Sequence, residues 1–214
     1  MTNIEKINGF WLPSYDAQIE DWRVAGAPHM QDKCLNSFLK WCDSQQKQFN
    51  TMIDIGAWCG TWSYAMQSYA KKIIAFEPSL IHFNCLEKNL GPYNNVTCNN
   101  CAIGNQNGTI SLTNDSVTQN TRIEKELGKT PIFTLDNFNY KNVDLIKIDV
   151  EGYEMKVLEG ATKTLETVKF LMIELNHNTE KYGSSNVEVK KYVQEKLGFK
   201  ILINVWPDII FFKV

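Results

Sequence analysis

A chain of 214 residues, 43% of them hydrophobic, is long enough for one α/β domain with a sizeable core. Its 22 basic and 24 acidic side chains leave a formal charge of −2, so no basic footprint argues for nucleic acid or an anionic membrane. No apolar run is long enough to span a bilayer, residues 1–14 lack a basic start with an apolar core, and the six cysteines read as reduced, so the simplest expectation is a cytoplasmic protein.

Residues 1–50 are aromatic, with Phe10, Trp11, Tyr15, Trp22, Phe38 and Trp41. Residues 32–47 have the spacing of an amphipathic helix carrying Leu35, Phe38, Leu39 and Cys42. We read 1–50 as an extension packed on the sheet of a domain at 51–214; in a sharper version, residues 11–22 close over the ligands as a lid. The first strand, Met52-Ile53-Asp54-Ile55, runs into the turn Gly56-Ala57-Trp58-Cys59-Gly60-Thr61 and a helix over 63–69. The second, residues 72–76, ends at Glu77-Pro78 and is followed by a helix over 80–90 that Gly91-Pro92 closes. A short third strand at 95–98 leads to Asn100-Cys101-Ala102-Ile103-Gly104. Residues 108–112 read as an extra strand or hairpin arm, and 113–129 as a surface excursion. After a short capped helix at 134–138 come a buried strand from Val143 to Asp149-Val150-Glu151-Gly152 and a helix over 153–159. The apolar strand at 168–175 carries Glu174 near its end; a helix over 185–197 and two strands flanking Trp206-Pro207-Asp208 complete the chain. Successive βα units predict a Rossmann-like α/β fold: a seven-stranded, mostly parallel sheet with helices on both faces. The last connection is too short for a crossover, so the C-terminal strand pair is antiparallel.

The chemistry concentrates where strands end in acids. A strand followed by Asp-x-Gly-x-x-x-Gly brings a nucleoside-bearing cofactor against bare backbone, and an acid at the end of the next strand can accept both ribose hydroxyls. Either piece alone is a common turn; together, one βα unit apart, they form a signal. The turn lacks the extra glycine that a nicotinamide dinucleotide's pyrophosphate requires, and Trp58 fills its middle. This favours a nucleoside without phosphates such as S-adenosylmethionine, with Asp54 facing its cationic amino acid portion and Glu77 its ribose. Cys98-Asn99-Asn100-Cys101 has Cys-x-x-Cys spacing but no second pair for zinc, and it follows a strand instead of opening a helix, so neither metal nor redox work is expected there. Cys34, Cys42, Cys59 and Cys85 read as small apolar fillers.

These motifs resemble the FkbM family of class I methyltransferases, which use S-adenosylmethionine and mostly methylate hydroxyl oxygens of small molecules and sugars. The resemblance spans roughly residues 52–199 and rests on Asp54-Ile55-Gly56-Ala57 with Gly60-Thr61, on Ala75-Phe76-Glu77-Pro78 and on Asn100-Cys101-Ala102-Ile103-Gly104. It continues through Thr134-Leu135-Asp136, Lys147-Ile148-Asp149-Val150-Glu151-Gly152 with Glu154, Val157-Leu158-Glu159-Gly160-Ala161 and Ile173-Glu174-Leu175. It implies cofactor contacts from Asp54, Gly56, Ala57, Trp58, Gly60, Thr61, Glu77, Pro78, Asn100, Cys101, Ala102 and Asp149. The chain departs from the pattern at Trp58, where the family usually has Asn, and at Asn176-His177, where a family His often comes one residue earlier.

An alcohol acceptor must lose its proton during methyl transfer, which calls for a positioned base. Asp149, Glu151, Glu174 and His177 are the candidates, with Asp149 also near the methyl or amino acid portion. These side chains could hold a divalent cation, but no tight ligand spacing demands one, and no metal is expected. Glu151 and Glu154 also suit the start of a helix, and Lys147, on the strand face of Asp149, suits an ion pair. The expected function is O-methylation of a small molecule or glycan; the alternative is a binding module of the same fold with little catalysis. A strand ending Asp149-Val150-Glu151-Gly152 lacks the Asn/Asp-Pro-Pro-aromatic end usual in amino methylation of bases.

Overall fold

The computed structural model describes residues 3–17, 19–25, 33–113 and 120–213. The chain opens with a hairpin, β1 (Ile4–Ile7) and β2 (Phe10–Pro13), then α1 (Ile19–Ala25) and α2 (Lys33–Ser44). Next come β3 (Phe49–Ile55), α3 (Thr61–Met66), β4 (Ala70–Phe76), α4 (Leu80–Leu90) and β5 (Val96–Asn99). A small sheet of β6 (Ala102–Ile103), β7 (Gly108–Leu112) and β8 (Ile123–Phe133) intervenes. The chain then returns through β9 (Val143–Ile148), α5 (Glu154–Glu159), α6 (Thr162–Leu165) and β10 (Phe170–Glu174). It ends with α7 (Asn186–Lys191), β11 (Lys200–Val205) and β12 (Asp208–Phe212).

The main sheet has seven strands in the order β11-β12-β10-β9-β3-β4-β5. Strands β10, β9, β3, β4 and β5 run parallel, whereas β12 pairs antiparallel with both β10 and β11. The expected architecture is therefore present, including the C-terminal antiparallel pair. From β3 the chain winds outward to β4 and β5, then crosses back to β9 on the other side of β3. That reversal opens a crevice beyond the carboxyl ends of β3 and β9, the place where open α/β sheets bind ligands.

Side-chain alternation assigns the two faces. Ile53 and Ile55 of β3, Ile146 and Ile148 of β9, and Leu171 and Ile173 of β10 share one core with Val157, Leu158, Leu165, Val189 and Val193 of the later helices. Met52, Leu145, Phe170 and Met172 point the other way, into a core with Leu35, Phe38 and Cys42 of α2 and Trp62 and Met66 of α3. Because both faces are covered, these strands read as nearly continuous apolar runs. Helices do lie on both faces.

Three local features differ from the sequence expectation. The hairpin β1–β2 was not foreseen; it packs on α4 through Ile7, Phe10 and Leu12, which cluster with Trp22, Cys59 and Cys85. Asn89 of α4 pins it, accepting from the Trp11 N–H at 2.7 Å and donating to the carbonyls of Trp11 at 2.9 Å and Cys59 at 2.8 Å. The expected excursion at 113–129 is in large part strand: β8 starts at Ile123 and pairs antiparallel with β7. Residues 114–119 of that stretch, and Asp32 of the amphipathic helix, lie outside the described residues. The last long helix begins with a capping box between Ser185 and Glu188 but turns π-helical over Tyr192–Lys196.

Gly56 sits at the hinge of the crevice with φ +78°, and a β-carbon there would lie 1.7 Å from the backbone oxygen of Asp149. Its conformation and the closeness of the two strand ends both exclude a side chain. Gly56→Ala is expected to lower the unfolding free energy by about 3 kcal/mol, the scale of a strained backbone site with a steric clash, as measured by urea denaturation.

Candidate active site

A cavity of about 600 Å³ occupies the crevice, within the usual range for small-molecule sites. Its floor is made by the ends of the parallel strands: Gly56, Ala57 and Trp58 after β3, Glu77 and Pro78 after β4, Cys101 and Ala102 after β5, Asp149 and Glu151 after β9, and Glu174 ending β10. Its walls come from elsewhere. Trp22 of α1, the start of α2, residues 120–123 leading into β8, and the β11–β12 turn with Trp206 and Asp208 all line it.

At one end, Glu77 is fixed by backbone. Its Oε2 accepts from the Trp58 N–H and its Oε1 from the Ser79 N–H, both at 2.8 Å, and His82 Nδ1 lies 3.5 Å from Oε1. Trp58 holds the left-handed conformation at φ +49°, rare for a bulky residue, and its ring rests against Trp22 at 5.8 Å and His82 at 6.3 Å. The bond to Glu77 and the two ring contacts are what hold it there. Asn100 does not line the cavity; its amide donates to the carbonyls of Glu77 and Pro78 at 2.8 and 3.2 Å and so holds the loop that carries the acid.

Beneath the centre lies a buried ion cluster. Asp54 is wholly buried, accepting from the Ser63 hydroxyl at 2.6 Å, with Lys147 Nζ 3.3 Å away. Lys147 also donates to the Gly56 carbonyl at 2.9 Å and lies 3.1 Å from Asp149. Burial works against the ammonium's charge, but the adjacent Asp149 and Asp54 outweigh it and hold its pKa above the ordinary value. Asp54 therefore does not face the cavity as the sequence led us to expect. Its lysine lies at the facing register position on β9, where sequence proximity could not show it.

The opposite end is acidic. Asp149, Glu151 and Glu174 each place one oxygen within 4.8 Å of the others. Like charge from Asp149, then burial, then Asp208 and Glu151 push Glu174 up to about 10, so it holds a proton at neutral pH. Burial and Asp149 raise Glu151 to about 7, against the opposing pull of Asn178, Arg122 and Asn176. The amides of Asn176 and Asn178 donate to Glu151 Oε2 at 2.8 and 3.0 Å and hold this residue at φ +55°. Glu154 opens α5, as its helix-start reading has it, and is buried; it accepts from the Gly152 N–H at 2.9 Å, and burial raises it to about 7. The spacing of the three acids lies within the reach of a single divalent cation.

Of the residues singled out from sequence, Gly56, Ala57, Trp58, Thr61, Glu77, Pro78, Cys101, Ala102, Asp149, Glu151 and Glu174 meet at the cavity. Asp54, Gly60, Asn100 and His177 do not line it. Gly60 instead lets α3 approach α4, since a β-carbon there would press on Leu86 and Leu90. His177 is exposed on the turn after β10, while its neighbours Asn176 and Asn178 reach Glu151. Sequence reading missed Arg122, Trp206, Asp208 and Asn178; only the Trp-Pro-Asp turn had been noticed, as a turn. All six cysteines are free, and burial raises Cys98 and Cys101 to about 11, the reverse of a redox pair primed as thiolate.

A parallel sheet reversing at β3, with an acid fixed beyond the second strand and a cavity over the switch point, defines a Rossmann-like enzyme scaffold. A family model described as "Methyltransferase FkbM domain" matches residues 52–201. The chain belongs to the FkbM methyltransferase family. It is 29% identical over 142 residues to Methyltransferase 1 of Beauveria bassiana, covering 51% of this chain and 57% of that one. It is 24% identical over 182 residues to the hexuronic acid methyltransferase AglP of Haloferax volcanii, covering 81% and 74%. The fold resembles the crystal structure of methyltransferase FkbM from Methylobacillus flagellatus (TM-score 0.56, 17% identity), over 77% of this chain and 44% of that one. It also resembles an rRNA methylase from Streptococcus thermophilus (TM-score 0.54, 14% identity), over 87% and 99%. Thus the chain spans little more than half the length of the fungal relative and less than half of the FkbM structure. Among the described residues no helix is long and apolar enough to cross a membrane.

Two predictions follow from the charges. Lys147→Met strands the Asp54 carboxylate in the core and is expected to destabilise the protein by roughly 3–5 kcal/mol; adding Asp54→Asn should recover most of that in urea denaturation. Glu174 keeps its proton to about pH 10 when folded but releases it near its ordinary value of 4.5 when unfolded. The stability tied to that proton is full below 4.5 and is lost as pH rises through 10. Glu174→Gln cannot ionise, so its melting temperature relative to the unsubstituted protein is expected to rise between pH 5 and pH 9; a constant difference would refute the raised proton affinity.

Proposed function

We propose that the protein is an S-adenosylmethionine-dependent methyltransferase acting on a hydroxyl oxygen of a small molecule or glycan. The observation that carries this reading is Glu77: a carboxylate locked by two backbone N–H groups at one end of a cavity whose other end holds titratable acids. Membership of the FkbM family supports the cofactor, and the relative named a hexuronic acid methyltransferase supports a sugar acceptor.

The cofactor supplies a methyl group already activated by its sulfonium, so the protein's main task is alignment. Glu77 retains lone pairs for the two ribose hydroxyls. The Lys147-anchored Asp149 would face the cofactor's cationic portion, and Trp58 and Trp22 would wall off water at the Glu77 end. Glu151 is the best-placed base. It is held by two amides, lines the cavity and titrates near 7, the range in which a base is both free and strong enough to take a hydroxyl proton. With the cofactor bound, its methyl would be supplied to the acceptor oxygen as the methyl–sulfur bond's electron pair stays on sulfur, and Glu151 would take the hydroxyl proton. We assign His177 no part in it. The walls from α1 and α2 make residues 1–50 part of the same domain in this reading, with Trp22 as cover. The acidic end and the overall charge of −2 disfavour a polyanionic acceptor such as RNA.

Calorimetric titration with S-adenosylmethionine tests the cofactor. The unsubstituted protein should bind it and not NAD, and Glu77→Ala should weaken binding at least about tenfold; undiminished affinity in the variant would overturn the site. With an acceptor in hand, Glu151→Gln should keep cofactor affinity while lowering turnover about 100-fold. The rise of turnover with pH through about 7 should vanish in that variant. Cofactor binding with no turnover on any sugar or small-molecule alcohol would favour the binding-module alternative.

A further inference from the structure

We infer that the β11–β12 turn is the acceptor subsite for an uncharged sugar ring, with Trp206 as the stacking face and Glu174 and Asp208 as acceptors for its hydroxyls. The inference rests on the methyltransferase reading above and narrows its substrate class.

Trp206 is 60% exposed although it lines the cavity. A single exposed apolar side chain needs no explanation in itself. This one stands out against the other tryptophans lining the cavity: Trp22 and Trp58 rest on each other and Trp62 is buried, whereas the Trp206 indole is exposed and, among the described residues, has no ring partner. It therefore presents a rigid apolar face at the rim, amphipathic and cheap in conformational entropy, of the kind that ligand sites use. The turn that carries it is not loose: the Leu175 N–H donates to the Pro207 carbonyl at 2.9 Å, tying the turn to the end of β10.

Beside that face, Glu174 and Asp208 stand at paired positions of β10 and β12, both lining the cavity. Carboxyl oxygens next to an aromatic plane suit a pyranose, whose C–H face is apolar and whose hydroxyl edge donates hydrogen bonds. The charge balance selects among sugars. Four acids, Asp149, Glu151, Glu174 and Asp208, line this end. Three cations line the cavity: Lys147 is engaged with Asp54 and Asp149, Arg122 favours the charge of Glu151, and Lys33 stands at the exposed start of α2. A uronate carboxylate placed here would meet the same repulsion that keeps Glu174 protonated. The preference thus departs from the hexuronic acid for which the relative from Haloferax volcanii is named.

The test uses saturation-transfer NMR on the full chain with S-adenosylhomocysteine present. The probes are the methyl pyranosides of glucose, mannose, galactose and glucuronic acid. At least one neutral glycoside should receive saturation, and the glucuronide should receive several-fold less. Trp206→Ala should reduce the signal about tenfold and Trp206→Phe should retain most of it, while both variants bind S-adenosylhomocysteine as the unsubstituted protein does. Equal glycoside binding in Trp206→Ala, preference for the glucuronide, or no engagement of any neutral glycoside would each overturn the subsite. S-adenosylhomocysteine is titrated separately by calorimetry: failure to bind it counts against the cofactor reading, while the glycoside result is judged on its own signals.

Discussion

A single buried ammonium holds the site together. Lys147 sits under the point where β3 and β9 part, bound to the Gly56 carbonyl and flanked by Asp54 and Asp149. Two strand ends that would otherwise repel each other through their carboxylates are joined there, and Gly56 lets them approach to within contact. The cost of burying Asp54 is offset by this pairing and by the Ser63 hydroxyl. Because Lys147 is committed to Asp54 and Asp149, little positive charge remains for the acids beyond. Glu174 and Glu151 carry the consequence as raised proton affinity. The charge of the acidic end thus reflects Asp149 and burial, with little relief from a lysine engaged with Asp54 and Asp149.

The two loops that cross the cavity floor store backbone strain in parallel fashion. Trp58 after β3 and Glu151 after β9 both adopt left-handed conformations that non-glycine residues seldom occupy. Each is held by side chains from a neighbouring element: Trp58 by Glu77, Glu151 by Asn176 and Asn178. Such conformations persist only where the surroundings over-determine them, and their effect here is to aim a ring and a carboxylate into the same space. The Tyr182 hydroxyl, bonded to the Ile123 carbonyl, ties the turn that follows β10 to the arm that brings Arg122 over that carboxylate.

The family model ends at residue 201 and begins at 52, and much of the cavity wall lies outside it. Trp22, Leu35, Trp206 and Asp208 all line the cavity from beyond those limits. The matched span therefore supplies the strand ends, the fixed acid and the acids after β9 and on β10, and the flanks add Trp22, Leu35, Trp206 and Asp208 to the wall. Functional sites grafted onto a common scaffold differ in this way, through walls more than floor.

What the sequence by itself determined is a mostly parallel seven-stranded sheet with an antiparallel C-terminal pair, because buried parallel strands read as apolar runs and helices alternate with them at regular spacing. It also marked Glu77, Asp149, Glu151 and Glu174, since an acid directly after a buried strand must lie at the sheet's carboxyl edge. Only the tertiary structure decided what each acid does. Asp54 carries the same strand-end signature as Glu77, yet it points into the core because its register partner on β9 is Lys147. His177 was one of four candidates for the base; it lies exposed on the turn after β10, where its neighbours Asn176 and Asn178 reach Glu151. The hairpin pinned by Asn89 and the arm of β8 stayed hidden for a related reason: short strands are stabilised by partners distant in sequence, and local composition does not record those contacts.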